Sequence, residues 1–439
     1  MFLSVFDMFK VGIGPSSSHT MGPMVAAGLF LDLLRASPFE AAGLKARLHG
    51  SLAFTGVGHA TDRATLLGLA GFSPETYDAA SAEDALEAMK RTKVVSPEGL
   101  GTLSLDPASD IAFDFGPSLP GHTNGMILMA TDAQGDVILQ QTYYSIGGGF
   151  VVTAEEMASG VSTSDMDPYP HEFNTANELL ALCAAQGKSI AQIKRENELS
   201  RRSAAALDRG LAKIWDVMNE CINRGLERGG ILPGGLNVKR RAKPIHEALV
   251  AERGLNMPAP HTINDWMSVY AMAVNEENAA GGQVVTAPTN GAAGVVPATL
   301  RYWLDHVPGA TARRIPEFLL TAAAIGGLIK FNASISGAEC GCQAEVGSAS
   351  AMAAAGLCAV LGGSPEQVEN RRRNSFRASL GHDLRPCQRP GASALYRAQW
   401  SRLYQSSLRR QPVDARRWHA LGITRCLRRN NAANRSGHA

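Results

Sequence analysis

From Arg371 to Ala439 the chain carries sixteen arginines, no lysine and no glutamate, and only Asp383 and Asp414 oppose them. That is a formal +14 in a protein whose net charge is +2, so the first 370 residues carry −12. A break that abrupt needs its own explanation, and it places the expected folded cores before residue 371. The whole chain of 439 residues, 45% hydrophobic and 19% charged, is long enough for two or three domains of ordinary globular composition.

Within those 370 residues the pattern changes once. Residues 1–155 mix strand-like runs ("ARLHGSLAF", "TLSLD", "GMILMATDAQGDVILQQTYYSIGGGFVV") with helical ones ("MVAAGLFLDLLRA", "ATDRATLLGLAGF"), which predicts an α/β domain. Residues 156–174, rich in Ser, Asp and Pro, read as a linker. Residues 175–370 are helical in pattern, broken by loops at "GGILPGGLNVKRRAKP" and "VVTAPTNGAAGVVPA". The fold class expected is therefore α+β, an N-terminal α/β domain followed by an all-α domain, with residues 371–439 not packing as a native helical end.

The N-terminal "MFLSVFDMFKVGIG" has Asp7 and Lys10 inside its apolar run and no small-residue cleavage site, so it reads as part of the fold. The longest apolar segment, "FLLTAAAIGGLIKF", is interrupted by Lys330 and is expected to be too short for a bilayer. A cytoplasmic protein is expected. Seven scattered cysteines do not make a disulfide framework. Cys183, Cys221 and Cys358 lie in helical patterns and read as core, whereas Cys340 and Cys342 form a Cys-x-Cys pair in a Gly/Ala/Ser-rich stretch. A metal site would need further ligands at recognisable spacing, and Cys387 and Cys426 are each in arginine-rich surroundings.

Several short strings carry chemistry. "GIGPSSSHTMGP" puts Ser16, Ser17 and His19 before a helix, where Gly and Ser amides can form an anion-binding nest; a capping loop would look similar but has no use for the histidine. "FTGVGHATD" is read as a strand end and Gly-flanked turn that leaves His59 accessible for proton transfer, with Asp62 nearby. "PGHTNGM" and "TYYSIGGGF" supply His122, Asn124, Ser145 and three consecutive glycines, Gly147 to Gly149, that permit close backbone approach or make an ordinary strand exit. "APTNGAAG" sets Asn290 among small residues at a helix start. Lys239 and Arg240 read equally well as a solvated face.

These strings, with "NASISGAECGCQAEVG" and in this order from Phe6 to about Glu369, closely resemble the bacterial iron–sulfur-dependent L-serine dehydratases in their single-chain form. The resemblance implies a β-containing N-terminal domain, an all-helical C-terminal domain, a [4Fe–4S] cluster between them and no pyridoxal phosphate. It implies deamination of L-serine to pyruvate and ammonia by β-elimination, with an incompletely ligated iron acting as Lewis acid on the hydroxyl. Cys342 is then the cluster ligand and Cys340 its neighbour, and His59 is the candidate base. His19, Ser16, Ser17 and Asn290 would hold carboxylate or amine, and His122 with Asn124 would orient neighbours or substrate. The expected partners are L-serine and a second copy of the chain in a homodimer, with neither nucleic acid nor membrane.

The family's other two cluster cysteines should follow in "TCDP" and "VPCIERN" segments, and neither string occurs here. Arg377 to Cys387 can, however, be encoded so that a frame shifted by a single nucleotide reads "EHHLGMTCDP", and Gly391 to Trp400 so that the same frame reads "VQVPCIERN". The expectation is a frame switch near Asn370 to Arg373, with the missing thiols hidden at the Leu384/Arg385 and Leu395/Tyr396 codon junctions. Two rival readings remain: a cluster-less remnant that binds an amino acid or anion without turning it over, and nonspecific nucleic-acid binding through the arginine tail.

Overall fold

The structure is a computed structural model that describes residues 3–159, 169–253, 262–333, 335 and 337–380, with 337–343 and 376–380 described by backbone alone. Its strands are β1 (Lys10–Ile13), β2 (Gly43–His49), β3 (Val94–Val95), β4 (Leu103–Ser104), β5 (Ile111–Asp114), β6 (Gly125–Thr131), β7 (Val137–Ser145), β8 (Val151–Thr153) and β9 (Gln283–Thr286). A sheet in the order β3-β4-β2-β6-β7-β8, with β5 also pairing β2, organises the N-terminal half. Alternation sets its faces: Leu44, Ala46 and Leu48 of β2 point inward, while Lys45 and Arg47 are not buried.

Helix Gly22–Ala36, with Pro23 in its first turn, packs on this sheet through Met24, Ala27, Phe30, Leu31 and Leu34, an i, i+3, i+7 stripe. The expected strand "ARLHGSLAF" is shorter than its apolar run. Gly50, at φ +53°, ends it, and Ser51–Phe54 form a single helical turn that carries the chain toward His59. A Cβ at residue 50 would press on the Thr123 carbonyl as well as forcing the left-handed backbone.

The C-terminal half is helical, as expected. Helix Ala204–Glu227 is capped by Ser203 and buries Leu207, Leu211, Ile214, Met218, Cys221 and Ile222 along one stripe. Helix Ile315–Asn332 is buried nearly all round, which is why its sequence reads as one apolar run. Residues Ala312–Asn332 are in fact long and apolar enough to cross a bilayer by composition, contrary to the expectation, but 67% of the apolar window lies inside the fold.

The two halves share more than a linker. Val5, Met8, Phe9 and Val11 pack into the core of the helical half, and β1 pairs antiparallel with β9, Lys10 opposite Thr286 and Ile13 opposite Gln283. The start of the chain is held by Glu198, fully buried, which accepts from Ser4 Oγ at 2.8 Å and Val5 N at 2.6 Å and pairs with Lys194 Nζ at 3.2 Å. Helix Pro365–Leu380 extends ten residues past the expected limit of native structure at 370. Arg372 and Arg373 pair with the buried Glu369 of the preceding turn, at 2.7 and 3.2 Å, and so continue the helix rather than disrupting it. The remainder of the arginine tail, 381–439, and residues 160–168 of the linker lie outside the described residues.

Candidate active site

The site begins where β1 ends. Gly14 sits where a side chain would collide with the Asn278 backbone, and the Asn278 amide donates to the Pro15 carbonyl at 2.9 Å. Ser16 then caps a wide π-type turn, Ser17–Met21, its hydroxyl accepting from His19 N at 3.2 Å. Gly22 opens the next helix directly against Ser145 at the end of β7, where a Cβ would overlap the serine hydroxyl. The turn is thereby fixed between the sheet and the helical half.

His19 lies inside this turn with both ring nitrogens engaged, Nδ1 with Ser18 Oγ at 2.8 Å and Nε2 with Ser51 Oγ at 2.9 Å. Burial, reinforced by the His59 and His122 imidazoles, pushes its pKa down to about 4. The ring is neutral at neutral pH and holds serine hydroxyls in place. The sequence reading gives His19 to the substrate's carboxylate or amine; in the structure its ring nitrogens contact the Ser18 and Ser51 hydroxyls.

His59 is 4.7 Å from His19, ring centroid to centroid, and half-buried. It ends a 3-10 turn, Val57–His59, that follows a short helix, not a strand as the sequence suggested. Its Nδ1 lies 2.9 Å from the Thr55 carbonyl, which can only accept, so the neutral ring carries its proton there and offers the Nε2 lone pair. Thr20 Oγ1 donates to the His59 carbonyl at 2.7 Å and ties this turn to the serine-rich one. His122 has the opposite tautomer: its Nδ1 accepts from Asn124 N at 3.0 Å, leaving the neutral ring with Nε2–H as donor. One imidazole is set to take a proton and the other to give a hydrogen bond.

Around them stand buried acceptors with no partner among the described residues. Asn124 donates to the Ser145 carbonyl at 3.0 Å and Asn290 to the Ile13 carbonyl at 2.7 Å, yet Asn124 Oδ1, Asn290 Oδ1, Asn278 Oδ1 and Ser145 Oγ are orphaned. Unpaired buried oxygens of this kind are rare in folded proteins and suit an ammonium ligand better than a carboxylate. Of the expected substrate-binding serines, Ser16 caps the turn through its hydroxyl and Ser17 is buried within it. The glycine run is required by geometry, since Gly147, Gly148 and Gly149 have φ of +89°, +59° and +70° and Gly148 lies against the Pro288 carbonyl and Ile335. The next residue, Phe150, takes Lys10 Nζ at 3.3 Å and Lys330 Nζ at 3.6 Å from its ring centroid, and burial brings Lys10 down to about 8.

Ser18, Ser51, Thr55 and Asn278 were not singled out from the sequence, although Ser18 and Thr55 lie inside the quoted strings. Glu345 was also missed. It accepts from Thr289 Oγ1 and from Gly291 N, and its burial raises its pKa. Lys239 and Arg240 separate in the structure, since Arg240 is buried against Glu277 at 2.8 Å and Lys239 is exposed.

Cys342 and Cys340 lie on helix Gly337–Val360, but their side chains, like Cys387 and Cys426, are outside the described residues. Among the described residues no three His, Cys, Asp or Glu side chains converge to hold a metal. Cys183 and Cys221 are core residues, as expected, and burial pushes their thiols up to about 11 and about 12; Cys358 is raised for the same reason. Such thiols are poor cluster ligands, which must be thiolates. The described donor set therefore does not form an iron–sulfur cage.

An imidazole held in one tautomer and buried amide oxygens with no described partner, at the junction of a sheet region and a helical region, are the groups that proton-transfer chemistry on a small polar substrate needs. Residues 4–156 match the family model "Serine dehydratase beta chain" and residues 185–382 match "Serine dehydratase alpha chain". The chain is 49% identical over 383 residues to L-serine dehydratase of Streptomyces coelicolor, covering 87% of this chain and 83% of that one. It is 46% identical over 382 residues to L-serine dehydratase TdcG of Escherichia coli, covering 86% and 83%, and 42% identical over 369 residues to the Helicobacter pylori L-serine dehydratase, covering 83% and 80%. The chain belongs to the serine dehydratase family, with the beta and alpha regions joined in one polypeptide.

Proposed function

We propose that the chain is built to bind L-serine and deaminate it to pyruvate and ammonia. The observation that carries this reading is His59, whose Nδ1 is tied to the Thr55 carbonyl so that Nε2 is presented as a base, together with the buried amide oxygens that have no described partner. His59 Nε2 takes the α-proton and His122 steadies the charge that develops as the C–H bond breaks. Orphaned Asn124, Asn278 and Asn290 oxygens receive the ammonium group. Loss of the β-hydroxyl leaves aminoacrylate, which tautomerises to the imine and is hydrolysed by water to pyruvate and ammonia.

Departure of hydroxide needs an electrophile that the described side chains do not provide. We assign that work to a [4Fe–4S] cluster, with Cys342 as one ligand, in a product translated in the shifted frame throughout its end. The run of arginines without lysine or glutamate after residue 370 supports the shift, while the alpha-chain match runs on to residue 382, past the expected switch. A second reading, a binding remnant without turnover, is favoured for the chain as written by the absence of the "TCDP" and "VPCIERN" segments from its sequence.

The two readings separate in one comparison. The full chain and a full-frame version are assayed for iron, sulfide and pyruvate formation from L-serine, beside His59→Asn in the full-frame background. Serine binding by both, with iron and turnover only in the full-frame protein, is the expected result. A full-frame protein that lacks both cluster and turnover would remove the catalytic reading, and coding DNA without an alternative frame between codons 365 and 400 would remove the shift.

A further inference from the structure

Asn290 lies in a loop that no regular structure holds, yet its side chain is 2% exposed and its amide is committed to Ile13 across the domain junction. The residues on either side of it converge on one carboxyl group. Thr289, before it, donates its hydroxyl to Glu345, and Gly291, after it, donates its backbone N–H to the same group. Residue 291 must also be small, because a Cβ there would stand 2.9 to 3.1 Å from all three atoms of the Glu345 carboxyl. Glu345 projects from helix Gly337–Val360, whose following turns are anchored by Ala349, Ala351 and Met352, all fully buried. The loop is therefore referenced to a rigid helix through one side chain.

We infer that Glu345 is a positioning residue that clamps the loop on both sides of Asn290 and so aims the orphaned Asn290 oxygen at the amino group of the ligand. Glu345 touches no reacting atom. Its effect passes through Thr289 and Gly291, so its loss should matter only to the extent that Asn290 matters. A glutamine can keep both contacts, because its oxygen accepts from Gly291 N–H while its amide donates to the Thr289 hydroxyl, which reverses its role. An alanine keeps neither.

The inference rests on the proposed serine site only for the identity of the ligand, and two measurements on the full chain separate the questions. Hydrogen exchange reads the clamp without any ligand. Glu345→Ala should speed amide exchange across residues 289–293 about tenfold or more, Glu345→Gln should leave it within about threefold of wild type, and Thr289→Val should fall between, serving also where the alanine variant folds poorly. Unchanged exchange in both Glu345→Ala and Thr289→Val would overturn the clamp. Calorimetry with L-serine reads the aim. Glu345→Ala should weaken binding about tenfold, Glu345→Gln should restore it, and adding Glu345→Ala to Asn290→Ala should cost nothing further. Losses that multiply in the double variant would show that Glu345 acts independently of Asn290 and sink the inference. Wild-type chain that binds no L-serine, but shows the predicted exchange pattern, would sink the serine reading and leave the clamp standing.

Discussion

Replacing His19 with Gln should change how stability depends on acid, and the size of the change follows from the ring's surroundings. In the folded chain burial and the His59 and His122 imidazoles hold His19 down to about 4, whereas an unfolded histidine titrates near about 6.5. As pH falls, the unfolded chain takes up this proton first. The stability that neutral His19 contributes is therefore complete above about pH 6.5 and is lost progressively as pH falls toward about 4. A shift of about 2.5 units at about 1.4 kcal/mol each gives about 3 kcal/mol, and the ring is buried enough that solvent screening removes little of it. His49, His246 and His306 are also pushed down by burial, so the wild-type acid limb contains their contributions as well. The difference between wild type and His19→Gln isolates one ring. Near neutrality the variant should be less stable by about 1–3 kcal/mol, having given up its contacts to Ser18 and Ser51. Urea midpoints measured from about pH 7 to about pH 4.5, with the slope checked for constancy, should show that gap shrink or reverse as the wild type loses up to about 3 kcal/mol that the variant cannot lose. A gap that is flat across the range would refute the reading of His19 as a buried, neutral organiser.

Three other outcomes are expected. His59→Asn in the full-frame protein should lower pyruvate formation about 10²–10⁴-fold while leaving His19 hydrogen-bonded to Ser51; wild-type turnover in that variant would end the assignment of the base. Glu198→Ala should cost about 3–5 kcal/mol in denaturant unfolding, because Lys194, 3% exposed, is left buried without its carboxylate, and Glu198→Leu with Lys194→Met should recover most of the loss. Gly22→Ala should cost about 1–3 kcal/mol by driving a methyl group into Ser145, and Ser145→Gly in the same chain should relieve it; a thermal scan in which the two changes simply add would count against that contact.

What could be read from the residues was what local pattern encodes. Helix Gly22–Ala36, strands β6 to β8 and the helices from Ala176 onward announce themselves by apolar period, while His59, expected to be accessible because its neighbours are glycine and alanine, is half-buried. The misses are pairings between distant segments. The four residues "QVVT" carry too little pattern to be read as a strand, and only Lys10–Ile13, from the far end of the sequence, makes them β9. Ser51 looks like any helix-starting serine until His19 is placed beside it, and Glu345 like any helical glutamate until Thr289 and Gly291 meet it. The helix at Ala79–Thr92 was missed for a different reason. It buries only Ala82, Leu86 and Met89, a stripe too thin to stand out in an alanine- and glutamate-rich run.

The long-range pairings also decide what would survive the proposed frame shift at the chain's end. His19 belongs by sequence to the sheet half, but its position is set from the helical half: Glu198 holds Ser4 and Val5, β9 holds β1, and Asn278 and Asn290 hold the Pro15 and Ile13 carbonyls immediately before the serine-rich turn. Every one of those contacts is made by residues before 371. An altered tail therefore leaves the elements that place the imidazoles and the amide oxygens, and removes only what the tail itself would supply. On the proposed reading that is thiolate. Recognition of the amino acid and removal of its α-proton are thus separable from expulsion of its hydroxyl. The chain as written should retain the first capacity, and should exchange the α-proton of bound L-serine with solvent deuterium without releasing pyruvate. Pyruvate release by this chain, or binding without exchange, would show that the division between the two halves of the chemistry has been drawn in the wrong place.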